Sequence, residues 1–310
     1  MRRLGILVRV VGLFLFIGFF SSQVDFVLVV KTLTRPGVGA WIAAAALLYM
    51  LGHLGNGLGW RSILRSAGVD VSLEQMFLHD LSSVFWSTVL PGGVAGEVVK
   101  GVRLAGEGAD GGTVAVGLVV SRLVGGGVSC LLALAMLPFT SFVPGLRHAV
   151  ALALAFVLIG ALCVLLVIRL GPRVLNTHLP SLAARIPIGR FPARAAIARR
   201  ALWGLLTHGV FSVVYALCFG AAGQALTFPD GAALSTLSSV AQLAPISFGG
   251  FGIRELTVSQ IGGVLVPPTT AAAAAVMLSV LWTSVVLLGG VVELYRVRVG
   301  ARLAEPGTGR

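Results

Sequence analysis

A short run of helix breakers followed by charge interrupts one apolar stretch of the sequence. It contains Pro91, Gly92 and Gly93, with Glu97 and Lys100 shortly after. Proline and glycine break helices, and a broken helix end offers free N–H groups and a positive dipole end to an anion. Charged side chains beside such a break can bind a polar headgroup or exchange ion-pair partners. The run is therefore a candidate binding site for an anionic group such as a lipid phosphate.

A second run repeats this order of breakers followed by charge. Its candidate binding residues are Pro245, Ser247, Gly249, Gly250, Arg254 and Glu255. Backbone polar groups cannot be left open to lipid, so two broken helices at membrane depth predict a cavity between them. The alternative interpretation is a pair of ordinary turns at a membrane surface, with the charged residues in water.

Arg122 lies well inside an apolar stretch that reads Gly-Leu-Val-Val-Ser-Arg-Leu-Val. A charge near the bilayer centre costs about 2.5–3.5 kcal/mol on insertion scales, so Arg122 should face the bundle interior. We expect it to meet a carboxylate or a phosphate, and Glu97 is the predicted partner. The alternative is a structural ion pair without a role in substrate binding.

Other polar residues within apolar stretches fit hydrogen bonds between helices. His53 and Asn56 share one helix face by their spacing, and His79 and Asp80 precede the first break. A proton relay is the alternative. No His, Asp or Glu spacing resembles a metal site, the three cysteines lack a pairing motif, and no nucleophile motif appears. We therefore expect no cofactor, no metal and no enzymatic activity from this chain.

The composition predicts an all-α polytopic membrane protein. Of 310 residues, 57% are hydrophobic and 11% charged, whereas soluble domains are about a quarter charged. A membrane-spanning helix needs about 20 apolar residues. Six segments are long enough: 4–24, 38–60, 113–137, 148–170, 201–221 and 269–294.

The charge distribution predicts the orientation. The net charge of +12 does not indicate nucleic-acid binding, because the arginines cluster in short loops between spans. The basic loops are 2–3, 61–65, 169–200 and 296–302, and all of them fall on one side. By the positive-inside rule that side is cytoplasmic, so both termini are expected in the cytoplasm of an inner-membrane protein. Segment 171–200 is predicted to be a basic surface helix or loop, and 295–310 a cytoplasmic tail.

A weak internal repeat divides the chain into halves 1–138 and 148–294. Leu-Ser-Ser-Val occurs at 81–84 and again at 237–240, each time before a proline, a glycine cluster and an acid. If the broken segments 76–96 and 232–252 are re-entrant, each half has the order span, span, hairpin, span. The hairpins then enter from opposite sides, which is an inverted repeat. If both segments cross the membrane, the count is eight spans.

These motifs resemble the lysylphosphatidylglycerol synthase transmembrane-domain family, also called flippase-like. The match is most specific over 243–255, Leu-Ala-Pro-Ile-Ser-Phe-Gly-Gly-Phe-Gly-Ile-Arg-Glu. The first motif is looser, since Glu97 and Lys100 stand where the family more often has Asp and Arg, and Ser121-Arg122 resembles its acid-Arg pair without the acid. The resemblance implies an inner-membrane domain that moves lipids between leaflets. In the full synthases a cytoplasmic domain attaches an amino acid to the lipid, and we expect this chain to lack that domain because the sequence ends soon after the last predicted span.

We accordingly predict a flippase-like protein that moves an anionic or modified envelope lipid. Its partners are then membrane lipids and, in addition, a lipid-modifying enzyme. The alternative is a non-transporting subunit or an enzyme of envelope-lipid synthesis, such as the synthesis of hopanoids or lipid-linked sugars. An enzyme would need a carboxylate-rich cavity, and acids at membrane depth are few.

Overall fold

The computed structural model describes residues 34–89, 95–178, 190–243 and 252–304, together with Val27, Val30 and Lys31. Within these residues the chain forms nine α-helices and no strand. The helices are α1 Val38–Ser66, α2 Leu73–Val89, α3 Ala95–Gly106, α4 Gly111–Met136, α5 Pro144–His178, α6 Arg194–Ala221, α7 Phe228–Ala241, α8 Ile253–Gly262 and α9 Pro268–Ala304. A short 3-10 turn, Leu137–Phe139, follows α4.

Five of these helices are long and apolar enough to cross a membrane. The spans are Val38–Ser66, Gly111–Phe139, Pro144–Leu170, Arg194–Ala221 and Pro268–Arg296. They coincide with five of the six predicted spans, and the sixth, 4–24, lies outside the described residues. The chain is therefore an all-α polytopic membrane protein, as its composition predicts.

Polar side chains mark where several helices begin. The carboxylate of Asp110 accepts a hydrogen bond of 2.8 Å from the backbone N–H of Thr113 and so caps α4. Hydrogen bonds from Thr113 lower the pKa of Asp110. The hydroxyl of Thr227 caps α7 in the same way by accepting from the N–H of Asp230. These caps fix the ends of helices that emerge from the apolar layer.

Helices α1 and α6 pack along each other in antiparallel directions. A Cβ at Gly52 would lie 2.4 Å from the Phe211 ring, and one at Gly220 would lie 2.8 Å from the Trp41 ring. Small residues let membrane helices approach closely, because lipid supplies no hydrophobic force between them. The end of α1 and the start of α6 therefore share one side, here called the basic side, which carries Arg61 and Arg65.

The first broken segment forms a helical hairpin of α2 and α3. Lys100 contacts Asp80, and a Cβ at Gly96 would lie 1.8 Å from the Ser83 carbonyl oxygen, so the two helices run antiparallel. They have 17 and 12 residues, whereas a span needs about 20. The hairpin thus begins and ends on the basic side, and the residues between its helices, 90–94, lie outside the described part of the chain.

The second broken segment, formed by α7 and α8, begins at the opposite end of the bundle. It follows the end of α6, which lies on the side away from the basic side. Gly262 lies near Ala271 and Glu255 contacts Ser279, so α8 runs antiparallel to the span α9 that follows it. The two hairpins therefore enter from opposite sides. In the described part of the chain this arrangement is five spans with two re-entrant hairpins, and neither broken segment is a single crossing.

The contacts between the halves are exchanged symmetrically. Helix α2 of the first half packs on α9 of the second, and α7 of the second half packs on α4 of the first. Ser82 contacts Glu293 in one interface, and Ser129 lies 2.8 Å from Thr236 in the other. Such reciprocal packing is what an inverted repeat produces.

Two segments that were predicted to lie outside the spans are partly continuous with the spanning helices. Helix α5 continues to His178, and α6 begins at Arg194, so only 179–189 of the basic segment lie outside the described residues. Residues 194–200 form the first turns of a span instead of a surface segment, and Arg200 is buried there. The predicted tail begins as a continuation of α9, which ends at Ala304.

Candidate functional site: an apolar cleft with an ion pair, and a buried charge network

A cleft of about 580 Å³ lies between α3 and α4. Its walls are almost wholly apolar, and small residues on the two helices open the space between them. The lining includes Val98, Gly101, Val102, Leu118, Val119 and Arg122. Val98, Val102 and Val119 are exposed, so the cleft opens to the lipid-facing surface of the bundle. Because α3 ends and α4 begins on the basic side, the cleft belongs to that half of the membrane.

One ion pair stands at the wall of this cleft. Arg122 Nη1 lies 2.9 Å from Glu97 Oε2, and the side chains are 31% and 35% exposed. The first turn of α3 presents Glu97, and the middle of α4 presents Arg122. The structure joins the two side chains that the sequence analysis paired. Both side chains line the cleft and are partly exposed, so a ligand in the cleft can contact the pair.

Lys100 points away from the cleft into the bundle. Its Nζ lies 2.8 Å from Asp80 Oδ1 and 4.3 Å from the centre of the Trp60 ring. The residue is only 4% exposed. Among the described contacts its partner is thus Asp80 of the other hairpin helix, and not a group at the cleft.

The charged pair after the second break is buried. Arg254 Nη2 lies 2.6 Å from Glu255 Oε1, and the Arg254 guanidinium lies over the ring of Trp282. The Glu255 carboxylate also accepts from the Gly252 N–H, at 2.6 Å, and from the Ser279 hydroxyl. Neither residue lines the α3–α4 cleft. The remaining predicted site residues lie outside the described part of the chain: Pro91, Gly92, Gly93, Pro245, Ser247, Gly249 and Gly250.

A buried polar network connects α1, α2, α3, α4 and α6 behind the cleft. Asp80 contacts His53 and Asn56 of α1 as well as Lys100. Asn56 Oδ1 in turn accepts a hydrogen bond of 3.1 Å from Arg200 Nη2. The predicted interhelical hydrogen bonds of His53 and Asn56 are confirmed, and both converge on one carboxylate.

Sequence reasoning missed the position of Arg200 in this network. Its Nε donates to the Ser121 hydroxyl at 2.7 Å. Glycines make room for its side chain: a Cβ at Gly125 would lie 2.2 Å from Nη2, and one at Gly59 would lie 2.9 Å from Nη1. The available sequence signal was the Gly-Gly-Gly run at 125–127, in the middle of a span, where a missing side chain admits a larger neighbour.

A second cluster of charges joins the first hairpin to α9 near the basic side. Arg103 donates to both carboxylate oxygens of Glu293, at 2.6 and 2.5 Å. His79 lies 3.3 Å from Arg296 and 3.5 Å from Glu107. A bidentate arginine–carboxylate pair is among the strong charge-assisted contacts. It connects α3 to α9.

The arrangement at the cleft suits an amphipathic ligand. An apolar chain can occupy the space between α3 and α4, while a polar group contacts Glu97 and Arg122. Among the described residues, no group of three or more His, Cys, Asp or Glu could hold a metal ion.

A comparison with models of protein families shows the family to which this chain belongs. The family described as "Lysylphosphatidylglycerol synthase TM region" matches residues 5–290. The chain belongs to this family. No curated protein matches the chain. The match to the lysylphosphatidylglycerol synthase TM region spans both hairpins and the cleft. It associates this membrane protein with envelope lipids. It indicates no catalytic domain.

Proposed function

We propose that this member of the lysylphosphatidylglycerol synthase TM family is a flippase-like carrier that moves a lipid between membrane leaflets. The observation that carries the proposal is the α3–α4 cleft, whose apolar walls lead to the Glu97–Arg122 ion pair. Acyl chains would lie along the walls, and the headgroup would pass the ion pair. Proposed partners are therefore membrane lipids, with a lipid-modifying enzyme as a source of the substrate.

The charges of the Glu97–Arg122 pair indicate the class of lipid headgroup. Arg122 can bind a phosphate if Glu97 releases it, so the proposed substrate is an anionic or modified envelope lipid. Arginine is suited to this role, because its planar guanidinium binds phosphate with two parallel hydrogen bonds. Glu97 would then compete with the phosphate for Arg122. The phosphate would displace Glu97 when the lipid enters, and Glu97 would pair with Arg122 again when the lipid leaves.

The proposed location is the inner membrane, with both termini in the cytoplasm. Support comes from the basic side of the bundle, where the end of α1 and the start of α6 carry the exposed arginines Arg65, Arg194 and Arg199. The cleft opens on this side, so a lipid would enter from the cytoplasmic leaflet. Basic loops there would also concentrate anionic lipid near the entrance.

The test is leaflet exchange of labelled phosphatidylglycerol and phosphatidylcholine in vesicles that hold the purified chain. We expect exchange above that of protein-free vesicles, faster for the anionic lipid, and a loss of at least about tenfold in Arg122→Ala, equivalent to 1.4 kcal/mol. Arg65→Ala is the matched control, since Arg65 pairs with the exposed Asp70 away from the cleft. Equal rates of lipid exchange in the wild type and in Arg122→Ala would show that the cleft is not part of the transport pathway. No exchange of either lipid would favour the non-transporting subunit.

A further inference from the structure

We propose that Arg200 sets the preference of this protein for anionic headgroups, because its buried positive charge has no carboxylate partner among the described residues. The inference rests on the proposed carrier function and adds the residue that selects among lipids. Arg200 lies in the second turn of α6 and is 5% exposed. A charge buried in a membrane bundle is costly, so it needs a structural or functional reason.

The hydrogen bonds of the Arg200 guanidinium go to neutral oxygen atoms. Nε donates to the hydroxyl of Ser121 at 2.7 Å and to its carbonyl at 3.1 Å, and Nη2 donates to Oδ1 of Asn56 at 3.1 Å. Nη1 is buried and has no hydrogen-bond partner in the described part of the chain. An arginine side chain stays protonated in proteins. Arg200 is therefore a permanent buried cation held by neutral groups.

Three glycines on three helices face Nη1 of Arg200. A Cβ at Gly59, Gly125 or Gly204 would lie 2.9, 3.4 or 3.6 Å from this atom, respectively. The backbones of α1, α4 and α6 thus close around the guanidinium and keep water away from it. A buried charge is screened much less than an exposed one, so the field of Arg200 extends into the bundle.

The charged side chains near Arg200 do not balance it. Asp80 pairs with Lys100 at 2.8 Å, and Glu97 pairs with Arg122 at 2.9 Å. Together with Arg200 they make three cations against two carboxylates, which is an excess of one positive charge. The other buried carboxylates of the described residues bind partners elsewhere: Asp230, Glu255 and Glu293.

The segments that connect the described helices cannot supply the missing counter-charge. Residues 90–94, 179–189 and 244–251 contain no aspartate or glutamate. His53, which also contacts Asp80, can only add positive charge. An anion that enters from the membrane can therefore balance the excess.

Arg200 lies directly behind the α3–α4 cleft. Its guanidinium contacts Ser121 on the buried face of α4, and the next residue, Arg122, lines the cleft. One helix, about 10 Å in diameter, thus separates the charge from the cleft. The walls of the cleft are apolar, and low-dielectric walls focus the field of a nearby charge.

This field favours a headgroup with a net negative charge. At a separation of about 10 Å and an effective dielectric constant of about 20, one unit charge changes the occupancy of an anion on the order of tenfold. A zwitterionic headgroup gains much less, because its two charges oppose each other. The excess charge at Arg200 thus selects anionic lipids without a direct contact to the headgroup.

The experiment compares the exchange rates of labelled phosphatidylglycerol and phosphatidylcholine in vesicles that hold the purified chain. The ratio of the two rates cancels a general loss of activity. We expect Arg200→Met to lower this ratio about tenfold, and Arg200→Lys, which keeps the charge, to retain most of it. Arg147→Met is the matched control, because Arg147 also donates to a neutral oxygen, the carbonyl of Thr140, but lies at the start of α5, away from the basic side.

A second variant keeps Arg200 and removes the excess charge. Ser121→Asp places a carboxylate beside Nε of Arg200, where the serine hydroxyl now lies at 2.7 Å. We expect it to lower the ratio as Arg200→Met does. Ser121→Asn, which has the same size as Ser121→Asp but no charge, should keep the wild-type ratio. This pair distinguishes charge from packing, and it decides the question if Arg200→Met does not fold.

The outcomes separate the selectivity from the carrier function. An unchanged ratio in Arg200→Met or in Ser121→Asp, or an equal fall in Arg147→Met, overturns the role of Arg200 and leaves the carrier function intact. No exchange of either lipid by the wild type overturns the carrier function. Native mass spectrometry of the chain with equal amounts of both lipids then still tests Arg200. We expect retained phosphatidylglycerol to exceed phosphatidylcholine in the wild type only, and equal retention there overturns the inference.

Discussion

The two broken segments are both helical hairpins, but they differ in the balance between ion pairs and apolar packing. The first hairpin, α2 and α3, makes three ion pairs, Asp80–Lys100, Glu97–Arg122 and Arg103–Glu293, beside smaller apolar clusters that bury Met76, Leu81, Val84 and Leu104. The second hairpin, α7 and α8, lies within two apolar clusters. These clusters bury Ala233, Leu234 and Val258 together with the alanine run 271–275 of α9.

The difference suggests a division of labour between the hairpins. Apolar packing is dense and loses contact energy on any displacement, so the second hairpin suits a fixed scaffold. Ion pairs can exchange partners between discrete arrangements, so the first hairpin suits an element that moves. The α3–α4 cleft borders this first hairpin. Three substitutions and one measurement on the wild-type protein would break or sharpen this comparison.

The largest effect is expected from Glu255→Gln in the second hairpin. The substitution removes the Glu255 charge that contacts the buried Arg254 guanidinium, which should lower the free energy of unfolding by about 3–5 kcal/mol. Thermal unfolding in detergent measures this loss. Glu107→Gln is the control, since the Glu107 side chain is half exposed. A stable Glu255→Gln protein that loses lipid exchange would instead assign Glu255 to the transport path.

Gly96→Ala tests the close approach within the first hairpin. The new Cβ would lie 1.8 Å from the Ser83 carbonyl oxygen, so α2 and α3 must separate, at a cost of about 1–3 kcal/mol. Gly106→Ala on the same helix is the matched control, because nothing lies within 4 Å of its Cβ position. Unfolding midpoints of the two variants should differ clearly. Equal unfolding midpoints would show that α2 and α3 separate without a loss of stability.

Hydrogen exchange compares the two hairpins directly in the wild-type protein. If the first hairpin, with its three ion pairs, opens more readily, its amides should exchange about tenfold faster than those of α7 and α8, which corresponds to about 1.4 kcal/mol. Mass spectrometry of peptides from each hairpin measures the rates. Slower exchange in α2 and α3 would reverse the proposed division of labour.

The smallest effect on stability is expected from Glu97→Gln. The Glu97–Arg122 pair is about one-third exposed, so its loss should change the free energy of unfolding by less than about 1 kcal/mol. Lipid exchange should nevertheless change, since Arg122 loses the carboxylate that competes with phosphate. Thermal unfolding and lipid exchange in vesicles, carried out on one preparation of the variant, measure the change in stability and the change in exchange rate. A large loss of stability without a change in exchange would make the pair structural.

Much of the fold could be predicted because its determinants are local. The apolar length of a span depends on about 20 consecutive residues, and five predicted spans coincide with helices of the structure. The breaks were visible as proline and glycine, and the hairpins follow from them. The Glu97–Arg122 pair could be predicted because a charge at membrane depth requires a partner and few acids are available.

The sequence by itself determined the class of protein, the positions of the spans and the two points where helices break. The tertiary structure decided which charges meet. It turned Lys100 toward Asp80 and buried Arg200 beside Gly125, and it opened the cleft between α3 and α4. The reason is physical: lipid is as apolar as the bundle core, so hydrophobicity does not indicate which face of a membrane helix points inward. Only the packing of one helix against another selects that face.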